Sequence, residues 1–149
     1  MGLTSDPMNP IRSIIAVLGA FGLVALVTEA LEFTLVSAVA GGSITDMGSY
    51  LAVRNRPGML AAKIAYTGAA GILGGYMAAK VAGTRELLHG GLAAALQTAT
   101  LLWGFTAGEF AASTPLWARA ALIVVTGPAM LAGASIRARA AEAGETRRV

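Results

Sequence analysis

The first long apolar segment, Ile14 to Ala40, constrains the fold most because it carries two carboxylates, Glu29 and Glu32. Its uncharged part ends at Val27, which is too short to cross a hydrocarbon core about 30 Å thick that needs roughly 20 helical residues. A membrane span in this region must therefore include at least Glu29. Acids inside such a span require partners or water, since an unpaired charge is costly there.

The composition favours a membrane protein over a soluble one. Hydrophobic residues make up 56% of the chain and charged residues only 13%, whereas about a quarter of a soluble domain is charged. The apolar runs are long and continuous rather than alternating, which favours helices over a barrel. The sequence therefore predicts an all-α, polytopic membrane protein with a four-helix transmembrane bundle.

The apolar segments and the loops between them predict three regions. We expect a disordered lead over residues 1–10, one transmembrane domain over residues 11–136, and a basic flexible tail over residues 137–149. The predicted helices cover about 13–39, 59–81, 87–111 and 116–136. The longest connection, Gly41 to Gly58, is rich in turn-forming residues and is expected to hold a short interfacial turn around Tyr50 to Val53.

A secretory signal peptide is an alternative interpretation of the first segment, with Ala38-Val39-Ala40 as the cleavage-like triplet. The triplet lies farther beyond the uncharged run than a cleavage site normally does, and two glutamates intervene. The sequence therefore favours a retained first helix.

Charged residues from all four predicted helices are expected at one leaflet. Because the helices alternate in direction, the end of the first, the start of the second, the end of the third and the start of the fourth lie together. The predicted polar cluster comprises Glu29, Glu32, Lys63, Tyr66, Glu109 and Arg119. Three interpretations remain open: hydrated interfacial charges, a structural ion pair that fixes helix packing, or proton or cation chemistry.

Small residues mark the predicted packing faces. The carboxylate stripe of the first helix continues at helical spacing through Leu18, Gly22, Ala25 and Val36. Two GxxxG spacings, at Gly71 and Gly75 and at Gly104 and Gly108, predict close helix approach.

The residue inventory narrows the function classes. The chain has no cysteine and one histidine, and it shows no nucleophile–base pair, phosphate loop or metal constellation, so we expect no enzyme, metal or cofactor. Basic residues lie mainly at helix flanks and in the tail, which is more typical of a membrane protein than of nucleic-acid binding. We expect a structural or accessory membrane subunit, in contact with the lipid bilayer and with itself or another membrane protein. The alternative is a small proton- or cation-coupled transporter using Glu29 or Glu32 as its coupling acid.

Short motifs carry a resemblance to a protein group. Arg12 to Val17 opens the first helix, Tyr66 precedes the run Gly74 to Ala79, and His89 stands before a glycine. This pattern resembles small bacterial four-helix integral membrane proteins without an assigned function, which implies a fold and no activity. The chain is also similar to small multidrug-resistance transporters in having four short helices and a helix-one glutamate, although it is longer and lacks their sequence pattern.

The distribution of basic residues predicts the topology. An inner or plasma membrane location with both termini cytoplasmic places seven basic residues inside, Arg12, Lys80, Arg85, Arg137, Arg139, Arg147 and Arg148, and four outside, Arg54, Arg56, Lys63 and Arg119. Reporter fusions after Arg139 should therefore be cytoplasmic, and fusions near Thr45 should be external. An external tail would contradict this orientation.

Overall fold

The computed structural model describes residues 9–108 and 111–146. Over these residues the chain is helical and contains no strand. The elements in order are α1 (Pro10–Ala40), α2 (Met47–Arg54), α3 (Pro57–Ala82), α4 (Glu86–Ala107), a 3₁₀ turn (Ala111–Ser113) and α5 (Leu116–Thr146).

Local sequence signals account for where the helices begin and end. The side chain of Asn9 accepts hydrogen bonds from the first backbone N–H groups of α1, and that of Asp46 does the same for α2. Pro57 opens α3, where its missing N–H costs nothing. Gly41 and Gly83 end α1 and α3 in the left-handed conformation, at φ 79° and φ 69°, which glycine adopts without steric cost.

Several boundaries differ from the prediction. The connection after α1 contains a two-turn helix, α2, rather than a single turn, and α4 ends at Ala107 rather than at residue 111. α5 does not end at residue 136: it continues to Thr146 through most of the segment predicted as a flexible tail. An ion pair of 3.3 Å between Arg137 and Glu86 holds this extension against the start of α4. Residues 1–8 of the predicted lead and residues 147–149 lie outside the described residues.

α3 lies at the centre of the bundle. Its interface with α5 is the most extensive, followed by those of α1 with α3 and of α4 with α5. Most of the buried hydrophobic residues are alanines, whereas large side chains such as Leu26, Trp103 and Val124 are exposed. This distribution is the reverse of a soluble domain, where large apolar side chains fill the core.

The buried face of α1 differs from the predicted one. It follows an i, i+4 spacing through Ala16, Ala20, Val24, Glu32 and Val36. Leu18, Gly22 and Glu29, which the predicted stripe included, are exposed. The helix is rotated so that its smallest side chains approach α3 and α4, and only one of the two carboxylates is buried.

Glycines permit the close contact between α3 and α5. A Cβ atom at Gly75 would collide with the backbone carbonyl group of Met130, and one at Gly133 with the backbone of Ile72. At Gly71 a Cβ atom would lie 3.1 Å from the Cβ atom of Ala129. The first predicted GxxxG spacing therefore lies at a tight helix–helix contact.

The second predicted GxxxG spacing, at Gly104 and Gly108, does not lie at a close helix–helix contact. A Cβ atom at Gly104 would meet nothing within 4 Å, and one at Gly108, which directly follows α4, would meet the backbone of Gly104. No neighbouring helix approaches closely at these two glycines. GxxxG spacing is therefore not sufficient for helix contact, because it does not determine which face of α4 points inward.

Two helices of the described chain are long and apolar enough to cross a membrane. They are Pro10–Ala40, with a mean hydropathy of 2.3, and Leu116–Gly144, with a mean hydropathy of 1.5. α3 and α4 do not meet the same criterion. α3 contains two lysines and several glycines, and these residues lower the mean hydropathy of a helix that packs at the centre of the bundle.

The two glycine spacings provide a matched test of packing. Gly75→Ala should lower the free energy of unfolding in detergent by about 1–3 kcal/mol or more, because a backbone carbonyl group cannot move aside as a flexible side chain can. Gly104→Ala should leave stability unchanged or raise it by about 0.5–1 kcal/mol, since alanine favours helix where space is open. Equal effects of the two substitutions on thermal denaturation would contradict the close α3–α5 contact.

Candidate functional site

A buried carboxylate forms the centre of a polar cluster that joins three helices. Glu32 lies on the inner face of α1, and only 4% of its surface is exposed. The Nζ atom of Lys63, from α3, contacts its Oε2 atom in an ion pair. The Nε atom of Arg54, from α2, lies 2.9 Å from its Oε1 atom. One carboxylate therefore links three helices through two cations.

Two tyrosines complete the coordination of this carboxylate. The hydroxyl group of Tyr50 donates to Oε1 at 3.0 Å, and that of Tyr66 donates to Oε2 at 3.4 Å. Burial, followed by the nearby charge of Glu32, raises the pKa of Tyr50. The phenol therefore keeps its proton and remains a donor at neutral pH. We call these five residues, Glu32, Lys63, Arg54, Tyr50 and Tyr66, the Glu32 cluster.

α2 positions two members of the Glu32 cluster that the sequence-based cluster did not include. Tyr50 and Arg54 are four residues apart, so both project from the same face of this short helix. Arg54 also donates from Nη1 to the hydroxyl group of Thr114 at 3.0 Å, and Asn55 donates from Nδ2 to the backbone oxygen of Ser113 at 2.6 Å. α2 thereby ties the end of α1 to the connection between α4 and α5.

The start of α2 is stabilised by its cap. The Oδ1 atom of Asp46 accepts a hydrogen bond of 2.8 Å from the backbone N–H group of Ser49. Hydrogen bonds from Ser49 lower the pKa of Asp46, because they favour the ionised carboxylate. The sequence therefore contains a signal for α2: the capping residue Asp46 is followed by Tyr50 and Arg54 at helical spacing.

Neither Glu29 nor Arg119 is among the described residues that contact the Glu32 carboxylate. Glu29 is exposed, and its carboxylate forms no ion pair with any described residue. Arg119, on α5, donates from Nη1 to the backbone oxygen of Phe105 at 3.0 Å. Glu109 lies outside the described residues. Among the predicted site residues, the structure therefore joins Glu32, Lys63 and Tyr66.

A cavity of about 260 Å³ adjoins the Glu32 cluster. Its wall includes charged side chains of Glu29, Arg54 and Lys63 and polar side chains of Thr67 and Gln97. A second cavity of about 290 Å³ shares Arg54 in its wall and extends towards Thr114. The polar end of the bundle is therefore not filled by protein side chains.

A second polar contact lies at the opposite end of the bundle. His89 is 2% exposed, and its Nε2 atom lies 2.9 Å from the hydroxyl oxygen of Ser13. Its Nδ1 atom lies 3.1 Å from the backbone oxygen of Arg85, so a neutral ring with the proton on Nδ1 satisfies both contacts. This arrangement joins α1 to α4 and leaves both imidazole nitrogens occupied.

Comparison of the chain with protein-family models, with curated proteins and with solved structures finds no match. The resemblance to small bacterial four-helix membrane proteins and the similarity to small multidrug-resistance transporters therefore stay expectations.

Stability measurements can show that one carboxylate serves two cations. Glu32→Gln should lower the free energy of unfolding by roughly 3 kcal/mol or more, because Lys63 and Arg54 both lose their counter-charge in a shielded place. Lys63→Met should cost clearly less, since Arg54 still neutralises Glu32.

Glu29→Gln is the matched control for this series. Because Glu29 is exposed and forms no ion pair with a described residue, its replacement should change thermal stability in detergent by less than about 0.5 kcal/mol. Equal losses in Glu29→Gln and Glu32→Gln would contradict the assignment of Glu32 as the paired carboxylate.

Proposed function

We propose that the chain is a small integral membrane protein that serves as a structural or accessory subunit. The observation that carries this proposal is the occupancy of the Glu32 carboxylate. Each of its oxygens contacts one cation and one tyrosine hydroxyl group. A residue whose contacts join α1, α2 and α3 contributes to helix packing, and this geometry leaves it little freedom to exchange protons with a substrate.

The distribution of apolar side chains supports placement of all four long helices in the membrane. Large hydrophobic residues are exposed on each of them, for example Ile14 on α1, Leu73 on α3, Leu92 on α4 and Val124 on α5. α4 has 22 residues, and at about 1.5 Å per residue this length matches a hydrocarbon core about 30 Å thick. A four-helix transmembrane bundle would place these surfaces in lipid or against another membrane helix.

The proposed orientation has both termini cytoplasmic, in an inner or plasma membrane. In this arrangement the Glu32 cluster lies near the external leaflet, and the contact between His89 and Ser13 lies near the cytoplasmic one. α2 would lie at the external surface, where Arg54 reaches inward from an interfacial helix. Arg137 and Arg139 in the extension of α5 support the cytoplasmic side for the C-terminus, because the distribution of arginine and lysine rather than the net charge sets the orientation.

A proton- or cation-coupled transporter is the second candidate function. The cavity beside the Glu32 cluster favours it, because Glu29 contributes to the cavity wall and remains exposed. In this alternative Glu29 would be the coupling acid, while Glu32 would keep its structural contacts. The two candidates differ in whether the bundle moves protons by itself.

Single cysteines can distinguish the two functions, since the chain has no native cysteine. We expect a cysteine introduced at one of the exposed positions Leu18, Leu73 or Val124 to form a discrete crosslinked product in native membranes, either with a second copy or with one other protein. Cysteines introduced at exposed positions on the other helix faces should react only with lipid-soluble thiol reagents.

Reconstituted vesicles provide the complementary measurement. Vesicles with the purified chain in their membrane and a pH-sensitive dye inside should show no proton flux beyond that of protein-free vesicles. Proton flux that Glu29→Gln abolishes, together with the absence of any discrete crosslink, would support the transporter and contradict the accessory subunit.

A further inference from the structure

Residues from every long helix line the cavity beside the Glu32 cluster. Its lining comes from α1, α2, α3, α4 and α5, and its volume is about 260 Å³. This volume lies just below the usual range of small-molecule sites, which begins at about 300 Å³. The space therefore suits a solute of a few heavy atoms rather than a drug-sized ligand.

Two buried polar atoms in the cavity wall lack a hydrogen-bond partner among the described residues. They are the hydroxyl oxygen of Thr67 and the side-chain oxygen Oε1 of Gln97. Thr67 is 5% exposed and Gln97 is 8% exposed, so bulk water does not surround either residue. A buried polar group without a partner costs about 1–3 kcal/mol. Both side chains line the cavity, so an occupant that forms hydrogen bonds there would remove this cost.

The charges around the cavity are of both signs. Lys63 and Arg54 lie in its wall with Glu29, and Glu32 lies behind the two cations as their shared counter-charge. Lys63 has three N–H donors, and its ammonium group makes one ion pair with Glu32. Glu29 contributes a carboxylate that no described residue pairs. The formal charges of the two cations and the two carboxylates cancel.

This balance of charges in the cavity wall indicates which class of solute would bind there. A simple anion or a simple cation would add a net charge to a cavity whose own charges already cancel, and added charge is costly beside the largely buried side chains of Lys63 and Arg54. A zwitterion adds none. It also supplies an anionic group for the remaining donors of Lys63 and Arg54, and an ammonium group for Glu29.

We propose that this cavity binds a small zwitterion, with its anionic group towards Lys63 and Arg54 and its ammonium group towards Glu29. Thr67 and Gln97 contribute hydrogen bonds to it. The same chemistry occurs in a free solute, such as an amino acid, and in the headgroup of a zwitterionic phospholipid. The volume favours the free solute, and the experiment below distinguishes the two sources.

Binding of glycine and of its two halves tests the charge argument. In a calorimetric titration of the full chain in a non-ionic detergent, glycine should bind at least roughly tenfold more tightly than acetate or methylammonium, since each half leaves one side of the site unpaired. Acetate or methylammonium binding as tightly as glycine would overturn the proposal in favour of a simple ion site. Absence of binding by all zwitterionic probes, including those below, would also overturn it.

Two further probes identify the source of the zwitterion. Free glycerophosphoethanolamine and short-chain phosphatidylethanolamine carry the same ammonium and phosphodiester groups, and both are neutral overall. Binding of both supports a site for a free solute, whereas binding of the lipid alone supports a headgroup site. Equal binding of short-chain phosphatidylglycerol, which lacks the ammonium group, would overturn the role of Glu29.

Two threonines of the chain allow a matched control. Thr67→Val removes the hydroxyl group from the cavity and leaves no unpaired oxygen there, so the protein should keep its thermal stability while glycine binding weakens roughly tenfold. Thr106→Val makes the same chemical change on the exposed surface of α4, where the hydroxyl group bonds to its own helix. It should leave glycine binding unchanged. Unchanged binding in Thr67→Val, or equal weakening in both variants, would overturn the proposal.

Discussion

The need to neutralise a buried carboxylate organises one end of this bundle. Glu32 can occupy the inner face of α1 because Lys63 and Arg54 supply opposite charge and two tyrosines supply hydrogen bonds. Removal of a single partner from such a group costs several kcal/mol, whereas the complete group can be close to neutral in stability. The Glu32 cluster therefore acts mainly by specifying which helices meet, and it explains why a short helix after α1 folds back onto the bundle.

Packing in the rest of the bundle depends on glycine and alanine, which are small enough to let the helices approach closely. Gly75 and Gly133 allow the backbones of α3 and α5 to touch, and the neighbouring core consists largely of alanine. Small residues bury less apolar surface than large ones, but they allow the helix backbones to pack closely. This arrangement is favourable when the surrounding solvent is itself apolar. The large apolar side chains then remain on the outside, which fits the proposed placement of the bundle in a membrane.

The polar cavity and the tight apolar contact occur in the same four long helices. Near Gly75 the helices are too close to admit even a methyl group, whereas near Gly104 they separate and leave open space. Thr67 and Gln97 line this open end without partners of their own. The structure thus combines a closely packed half with a half that contains the polar cavity, and the Glu32 cluster joins α1, α2 and α3 beside that cavity.

The sequence by itself determined the helical class, the approximate positions of the four long helices and the tight glycine face of α3, because these follow from apolar run length, caps and local spacing. It did not determine which of two glutamates three residues apart would be buried, since a modest rotation of α1 exchanges them. That choice came from the tertiary structure: Ala16 and Ala20 allow α1 to approach its neighbours on one face, and this rotation turns Glu32 towards Lys63 and Arg54 and leaves Glu29 exposed. Arg54 joins from a connecting helix, and Gly104 faces open space, because long-range packing rather than local spacing decides what each face meets.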